Sequence, residues 1–170
     1  MNIVAKFKRI SWQKYFDFYN EDFLPDAETV KKLKQQYDGI NLPERSTKGS
    51  AGYDIYSPIN LLVDAGDSVV VPTGIRVEIE NGWAGFIFPR SGLGFKYQVG
   101  LANTVGLIDS DYFYADNEGH ILVKLVNRGT ETVAINAGDK FCQMVLLPFG
   151  LADGDSVTES RVGGFGSTGN

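Results

Sequence analysis

The chain has 170 residues, of which 43% are hydrophobic and 22% charged, a composition typical of one globular domain with a sizeable core. Its formal net charge of −5 argues against a nucleic acid polymer as partner, and no apolar run approaches the roughly 20 residues that cross a bilayer. The single cysteine, Cys142, excludes an internal disulfide and a cysteine-based zinc site, and its apolar surroundings predict a buried thiol. The N-terminal residues lack the apolar core of a signal peptide, so we expect a cytoplasmic protein.

The N-terminal region combines a candidate strand with a helical pattern. Residues 3–10 form one more predicted strand. A helical pattern follows, with Pro25 expected in the first turn of a second helix and Gly39 expected to end it. Aromatic residues recur at helical spacing at Trp12, Tyr15, Phe16, Tyr19 and Phe23. We interpret residues 11–40 as an addition that covers the protein's own core, although the aromatic stripe of residues 11–38 could instead dock a protein partner.

Beyond residue 50 the pattern changes to short apolar runs that are separated by Gly, Pro, Asn and Asp. Many short runs with turn signals between them are typical of an all-β sandwich or barrel. The predicted strands cover residues 53–56, 59–63, 68–71, 75–79, 82–88, 121–126, 132–135 and 140–148.

Two segments of this β region carry polar groups at strand boundaries. Ala51-Gly-Tyr-Asp54 places an acid just after a glycine at the start of a strand. Pro89-Arg-Ser-Gly-Leu-Gly94 places an arginine, a hydroxyl and two glycines at the end of a strand. Such a group can cradle a phosphate, but the same residues can also form a simple turn.

The segment from Asn103 to Tyr112 has the strongest catalytic pattern. Its amide precedes an apolar strand over residues 105–108, and Asp109 follows that strand directly. A carboxylate that is partly removed from water is a better base for activating water, although a hairpin with an Asp turn would explain the same residues. The only histidine, His120, follows a predicted turn and is expected to be exposed to solvent.

The last residues form a glycine-rich tail around one aromatic side chain. Phe165 is surrounded by glycines, with Arg161 before it and hydroxyl groups after it. Backbone amides, hydroxyls and an arginine suit a phosphate chain, and an aromatic ring can stack on a base. We interpret residues 159–170 as a flexible lid over a nucleotide, with a disordered terminus as the alternative.

In order and spacing these segments resemble the five motifs of the trimeric dUTPase family over residues 41–170. The matching segments are Ala51-Gly-Tyr-Asp-Ile55, Pro89-Arg-Ser-Gly-Leu93, residues 103–112, Gly138-Asp-Lys-Phe-Cys-Gln143 and residues 161–169. The tail departs from the pattern because the spacing between Arg161 and Phe165 is shorter than usual. Tyr112 is also followed by a longer segment, residues 113–118, than the family's usual turn.

The resemblance implies a role for each matching residue. Asp54 resembles the acid that contacts waters of a Mg²⁺ ion on the triphosphate. Asp109 resembles the base that deprotonates the attacking water, and Asn103 the amide that reads uracil. Tyr112 resembles the ring that packs under deoxyribose and excludes a ribose hydroxyl. The implied phosphate and lid contacts are Arg90, Ser91, Gly92, Gln143, Arg161, Gly166, Ser167 and Thr168, with Phe165 stacked over the uracil.

The fold implied by the resemblance is a jelly-roll-like β-barrel that assembles as a homotrimer with active sites between subunits. The implied reaction is Mg²⁺-assisted hydrolysis of dUTP to dUMP and diphosphate, with no protein atom bound directly to the metal. A fold-related dCTP deaminase, alone or bifunctional, is an alternative. A phage-type regulatory protein, which would bind a protein partner through residues 11–38 or 113–118, is another. The expected location is the cytoplasm of a bacterium, with the gene bacterial or phage-encoded.

Overall fold

The computed structural model describes residues 2–20, 25–159 and 163. Its strands are β1 (Ala5–Arg9), β2 (Tyr53–Tyr56), β3 (Leu61–Val63), β4 (Ser68–Pro72), β5 (Ile75–Ile79), β6 (Trp83–Pro89), β7 (Val99–Leu101), β8 (Gly106–Ile108), β9 (Leu122–Asn127), β10 (Val133–Ile135) and β11 (Lys140–Pro148). Its helices are α1 (Trp12–Tyr19), α2 (Ala27–Asp38) and α3 (Ser91–Tyr97), and a 3₁₀ turn covers Ser110–Tyr114. No helix in this described part of the chain combines the length and apolar character that a membrane crossing requires.

The strands pair antiparallel in four sheets. The largest has the order β2-β11-β6-β8, a second has the order β4-β9-β7, and the remaining pairs are β1-β5 and β10-β3. Side chains from all four sheets meet in one core, which includes Ile55, Val77, Ile87, Leu125 and Phe141. This mainly β architecture agrees with the predicted jelly-roll-like fold, with the strands divided among separate sheets.

Buried and half-buried side chains alternate along the strands that cover the core. In β5, Ile75, Val77 and Ile79 are buried while Arg76 and Glu78 are half-buried, as the two faces of a strand require. The eight strands predicted from the apolar runs and the strand predicted over residues 105–108 are all present, with ends that differ by two residues or fewer. The hydrophobic pattern therefore determines most of the β framework.

An irregularity in β11 buries the only cysteine. The register with β2 shifts between Lys140 and Cys142, so Phe141 and Cys142 both lie in the core. Burial raises the pKa of the Cys142 thiol well above its usual range, and the Asp54 carboxylate adds to this effect. The prediction of a buried thiol is confirmed.

The N-terminal helices begin at side-chain caps and pack on the core. Ser11 caps α1 by accepting the N–H of Lys14, and Asp26 caps α2 by accepting the N–H of Thr29. Pro25 therefore precedes the cap, and the prediction that it lies in the first helical turn is wrong. Tyr15 of α1 is fully buried in the core, and Gly39 caps the end of α2 as predicted. Of the aromatic stripe, Phe23 lies outside the described residues.

The sequence patterns did not predict helix α3. It begins directly after Arg90 at the end of β6, and its two glycines give it a low intrinsic helix propensity. It ends at Gln98, whose φ of 55° is left-handed, and β7 begins at the next residue. Residues 89–94, for which the sequence predicts a phosphate cradle or a turn, therefore form the end of a strand and the first turn of a helix.

Candidate functional site

Three neighbouring strands bring the first, second and fourth sequence motifs together. Gln143 of β11 lies opposite Asp54 of β2 on one side and Phe88 of β6 on the other. Arg90 follows β6, and its Nε lies 3.4 Å from Asp54 Oδ1. A Cβ on Gly52 would collide with the Gln143 side-chain amide, so the glycine leaves room for that side chain. Residues distant in sequence thus form one polar group at this end of the sheet.

Two residues that sequence reasoning did not select complete this group. Ser46 Oγ donates a hydrogen bond to Asp54 Oδ2 at 2.6 Å, and Lys140 Nζ donates to the same oxygen at 2.9 Å. Lys140 belongs to the fourth motif and lies three residues before Gln143. This position in the motif was the signal from which the sequence could have identified Lys140 as a site residue. We call Ser46, Asp54, Arg90, Lys140 and Gln143 the Asp54 cluster.

Opposing effects determine the charge state of Asp54, whose side chain is only 9% exposed. Burial by itself raises the pKa of a carboxyl group, but the hydrogen bonds from Ser46 and Lys140 and the charge of Arg90 outweigh it and lower the pKa of Asp54. The carboxylate is therefore ionised between two cations. With Arg90 and Lys140 against one acid, the cluster keeps an excess of positive charge that suits an anionic ligand.

Ser91 and Gly92 extend this cluster at the start of α3. Both residues are exposed, and they follow Arg90 directly. Nothing within 4 Å would contact a Cβ placed on Gly92, so there is open space beside the backbone at this point. A ligand bound at Arg90 can therefore approach the main chain of this turn.

The third motif forms a second polar group. Asn103 lies in the connection from β7 to β8 and lines an apolar cavity of about 440 Å³ together with Leu101 and Ile108. Asp109 directly follows β8, is half-buried, and stands at the first position before the 3₁₀ turn. Tyr112 lies within that turn and is 5% exposed. We call Asn103, Asp109 and Tyr112 the Asp109 group.

The sheet register separates the two groups within one chain. Ile108 lies opposite Gly85, so Asp109 is adjacent to the beginning of β6, whereas Arg90 follows its end. At about 3.3 Å per residue, the seven residues of β6 place these ends roughly 20 Å apart. A single chain therefore does not bring its own Asp109 to its own Asp54 cluster.

The structure contradicts the expected exposure of His120. Only 3% of this residue is exposed, and its Nε2 accepts a hydrogen bond from the backbone N–H of Gly74 at 3.0 Å. Burial is the main cause that lowers the pKa of His120 to about 4. The turn before it leads from the 3₁₀ turn into β9, so the histidine faces the core and the ring of Phe18.

The predicted lid lies largely outside the part of the chain that the structure describes. Arg161, Phe165, Gly166, Ser167 and Thr168 lie outside the described residues. Among the side chains that the structure describes, no group of three or more His, Cys, Asp or Glu could hold a metal ion.

Comparison with known proteins gives matches that cover most of the chain. The dUTPase family model matches residues 38–169. A deoxyuridine 5′-triphosphate nucleotidohydrolase of Lactococcus lactis is 41% identical over 145 residues, which cover 84% of this chain and 95% of the relative. The dUTPase structure from Streptococcus mutans is 32% identical with a TM-score of 0.66, and the match covers 87% of this chain and 98% of that chain.

A phage protein extends the comparison. A point mutant of the dUTPase from phage phi11 of S. aureus is 25% identical with a TM-score of 0.61, over 72% of this chain and 92% of that chain. That structure is described as revealing the coordination of a structural Mg(II) ion. Hydrolysis of dUTP is the activity that these names share.

Proposed function

Because the chain belongs to the dUTPase family and is a dUTP diphosphatase, we propose that it acts as a homotrimer in which each active site combines the Asp109 group of one subunit with the Asp54 cluster of another. The observation that carries this proposal is the separation of roughly 20 Å between the two groups within a chain. A cyclic assembly provides each copy's groups to its neighbours by symmetry. The positive excess of the Asp54 cluster suits a triphosphate, and the apolar cavity beside Asn103 suits a base.

In this site Asp109 serves as the general base. Its carboxylate removes a proton from a water molecule, and the water oxygen forms a bond to the α-phosphorus as the bond from that phosphorus to the bridging oxygen breaks. The bridging oxygen leaves with the diphosphate, and the products are dUMP and diphosphate. The half-buried position after β8 holds the carboxylate in place, which is what general-base catalysis needs.

The Asp54 cluster would bind the phosphates. Arg90 donates hydrogen bonds to phosphate oxygens, and Gln143 together with the start of α3 at Ser91 and Gly92 adds neutral donors. These fixed donors stabilise the charge that develops on the leaving diphosphate. Because the backbone at Gly92 is open, the phosphate chain can lie against it without a steric conflict.

Mg²⁺ is the cofactor that fits this cluster. The Asp54 oxygens have three contacts, from Ser46, Lys140 and Arg90, while a carboxylate offers about four acceptor sites. Asp54 can therefore still accept a hydrogen bond from a metal-bound water. A Mg²⁺ ion held by Asp54 through water would supply positive charge that offsets part of the charge of the phosphates.

Base and sugar selection belong to the Asp109 group. The Asn103 amide offers both a donor and an acceptor to the edge of uracil. Tyr112 presents a fixed ring to deoxyribose and leaves a 2′-hydroxyl without space or partner. Burial of an unpaired hydroxyl is costly, so UTP should be cleaved at least about 100-fold less efficiently than dUTP.

The glycine-rich tail acts as the lid of this site. Arg161, Gly166, Ser167 and Thr168 contact the end of the phosphate chain, and Phe165 stacks on the uracil. The reported relatives come from bacteria or a phage of bacteria, so we also propose that the protein works in the bacterial cytoplasm. Docking of a protein partner through residues 11–38 or 113–118 remains a prediction, and Tyr15 within the first segment already packs into the protein's own core.

A substrate panel tests the proposed activity and its closest rival. Diphosphate release should be rapid with dUTP and Mg²⁺, slow without the metal, and at least about 100-fold slower with UTP. The same reactions with dCTP and dTTP, with deamination of dCTP measured separately, distinguish the hydrolase from the deaminase. Rapid release of ammonia from dCTP, or equal cleavage of UTP and dUTP, would contradict the assignment.

A further inference from the structure

The hydroxyl of Tyr112 is held from two sides by the segment that follows it. It donates a hydrogen bond to the backbone oxygen of His120 at 2.7 Å and accepts one from the side-chain amide of Asn117 at 2.8 Å. A hydroxyl whose donor and acceptor roles are both used cannot rotate freely. The position of the whole Tyr112 ring is therefore linked to Asn117.

Asn117 is itself held in place by the turn in which it lies. Its Oδ1 accepts the N–H of Gly119 at 3.0 Å, and its backbone oxygen accepts the N–H of His120 at 3.2 Å. Gly119 has a φ of +69°, and a Cβ there would lie 2.7 Å from the backbone oxygen of Tyr112. Only glycine lets the turn pack this closely on the 3₁₀ turn that contains Tyr112.

Residues 113–119, which we call the bracing segment, are anchored to the rest of the domain. Arg76 donates to the backbone oxygen of Phe113 at 2.7 Å, and its guanidinium lies 3.6 Å from the centre of the Phe113 ring. Glu118 Oε2 accepts the N–H of Ser11 at 2.7 Å, directly before α1. The bracing segment thus connects Tyr112 to strand β5 and to the N-terminal helix.

We propose that Asn117 is a positioning residue for sugar selection and that it acts through the hydroxyl of Tyr112. Exclusion of a 2′-hydroxyl by shape requires a ring that cannot move aside, and a brace from a fixed amide provides this rigidity. The additional residues after Tyr112 would then sharpen substrate choice. The inference rests on the proposed contact between Tyr112 and deoxyribose.

The test compares kcat/KM for dUTP with kcat/KM for UTP. Asn117→Asp keeps an oxygen that can accept the N–H of Gly119 but removes the N–H donor to Tyr112. Asn117→Ser is a second, uncharged variant whose shorter hydroxyl can still accept from the turn but cannot reach Tyr112. Because one hydrogen bond is lost, we expect each variant to reduce the preference for dUTP about five- to tenfold.

Asn60→Asp is the matched control, since Asn60 Oδ1 also accepts a backbone N–H, that of Ala137 at 2.7 Å, in a turn remote from Tyr112. It makes the same change of charge and should leave the preference unchanged. In a Tyr112→Phe background the hydroxyl is absent, so adding Asn117→Asp should change the preference no further.

Two results would overturn the inference. One is an unchanged preference for dUTP in folded Asn117→Asp and Asn117→Ser trimers while the wild type discriminates strongly. The other is an equal loss with and without the Tyr112 hydroxyl. A wild type that cleaves UTP as well as dUTP would instead contradict the proposed role of Tyr112, so the two failures can be distinguished.

Discussion

Asp109 and Arg90 lie at opposite ends of strand β6, because Ile108 pairs with Gly85 near its beginning and Arg90 follows its last residue. The proposed base and the proposed phosphate ligand of one chain are therefore roughly 20 Å apart. A water that attacks a bound α-phosphate must contact both regions of the site. This separation is the basis of the proposal that two copies of the chain contribute to one active site.

This separation predicts that inactive variants complement each other. Asp109→Asn and Arg90→Ala should each be nearly inactive alone. When the two are co-refolded in equal amounts, a site receives an intact Asp109 from one variant and an intact Arg90 from the other. With random mixing, about a quarter of the sites are complete, so diphosphate release should recover to about a quarter of the wild-type rate.

A second mixture provides the control for this experiment. Asp109→Asn combined with Asn103→Ala should stay inactive, because both residues belong to the same group and no chain supplies both intact. No recovery in the first mixture of verified mixed trimers would place both groups in a site built by one chain. Recovery in the control would instead show that Asp109 and Asn103 of one site come from different chains.

Replacement of Asp109 by asparagine should remove turnover and preserve binding. The amide keeps the size of the side chain but cannot accept a proton from water, and loss of a general base costs about 10²–10⁴ in rate. Affinity for a non-hydrolysable dUTP analogue, measured by calorimetry, should change little. Asp111→Asn, which alters a neighbouring acid on the same 3₁₀ turn, should keep most of the activity. Retention of more than about a third of the turnover by Asp109→Asn would show that another group is the base.

Deletion of residues 161–170 should reduce activity severely and leave the trimer's thermal stability unchanged. The tail has only one large apolar side chain, Phe165, so the core should not depend on it. Stacking on uracil, worth about 1–3 kcal/mol, would help to order its glycines when nucleotide binds. Full activity of the shortened protein would contradict the lid.

Phe165→Trp offers a direct measure of lid closure. Its fluorescence should change when a non-hydrolysable dUTP analogue and Mg²⁺ are added, because the new ring stacks on the base. The signals of Trp12 and Trp83 are measured in the unmodified protein and subtracted. If no ligand-dependent change remains after subtraction, Phe165 does not stack on the bound nucleotide.

The buried His120 should make the protein less stable in acid. Burial lowers its pKa from 6.5 to about 4, so between these values the unfolded chain takes up a proton that the folded chain refuses. Stability therefore falls as the pH decreases from about 6.5 to about 4, by up to about 3 kcal/mol per subunit. Protonation of Nε2 would also remove the hydrogen bond that this atom accepts from the backbone N–H of Gly74, because a protonated ring nitrogen cannot accept.

Urea unfolding at a fixed protein concentration can measure this contribution between pH 7 and pH 4.5. His120→Gln keeps an acceptor for Gly74 but cannot take up a proton, so its unfolding free energy should depend less on pH than that of the wild type. Parallel pH profiles for the two proteins would mean that His120 does not titrate differently in the folded state.

The sequence was sufficient to predict most local features of this protein. Alternating apolar residues predict strands such as β5, and aromatic residues at helical spacing predict helix α1, because both patterns depend on neighbouring residues alone. The motif order likewise identifies Asp54, Asp109 and Gln143 as functional candidates. Helix α3 was not predicted because its two glycines lower the intrinsic helix propensity of this segment.

Features that depend on distant contacts required the tertiary structure. His120 is buried because Gly74, 46 positions away, and the ring of Phe18 surround it, and no local pattern encodes such packing. Lys140 and Ser46 meet at Asp54 because the sheet places their segments side by side. The separation of Asp109 from Arg90 follows from strand register, which is set by side-chain packing across the sheet. The sequence therefore determined which residues are candidates for the chemistry, whereas the tertiary structure decided which of these candidates lie together within one chain.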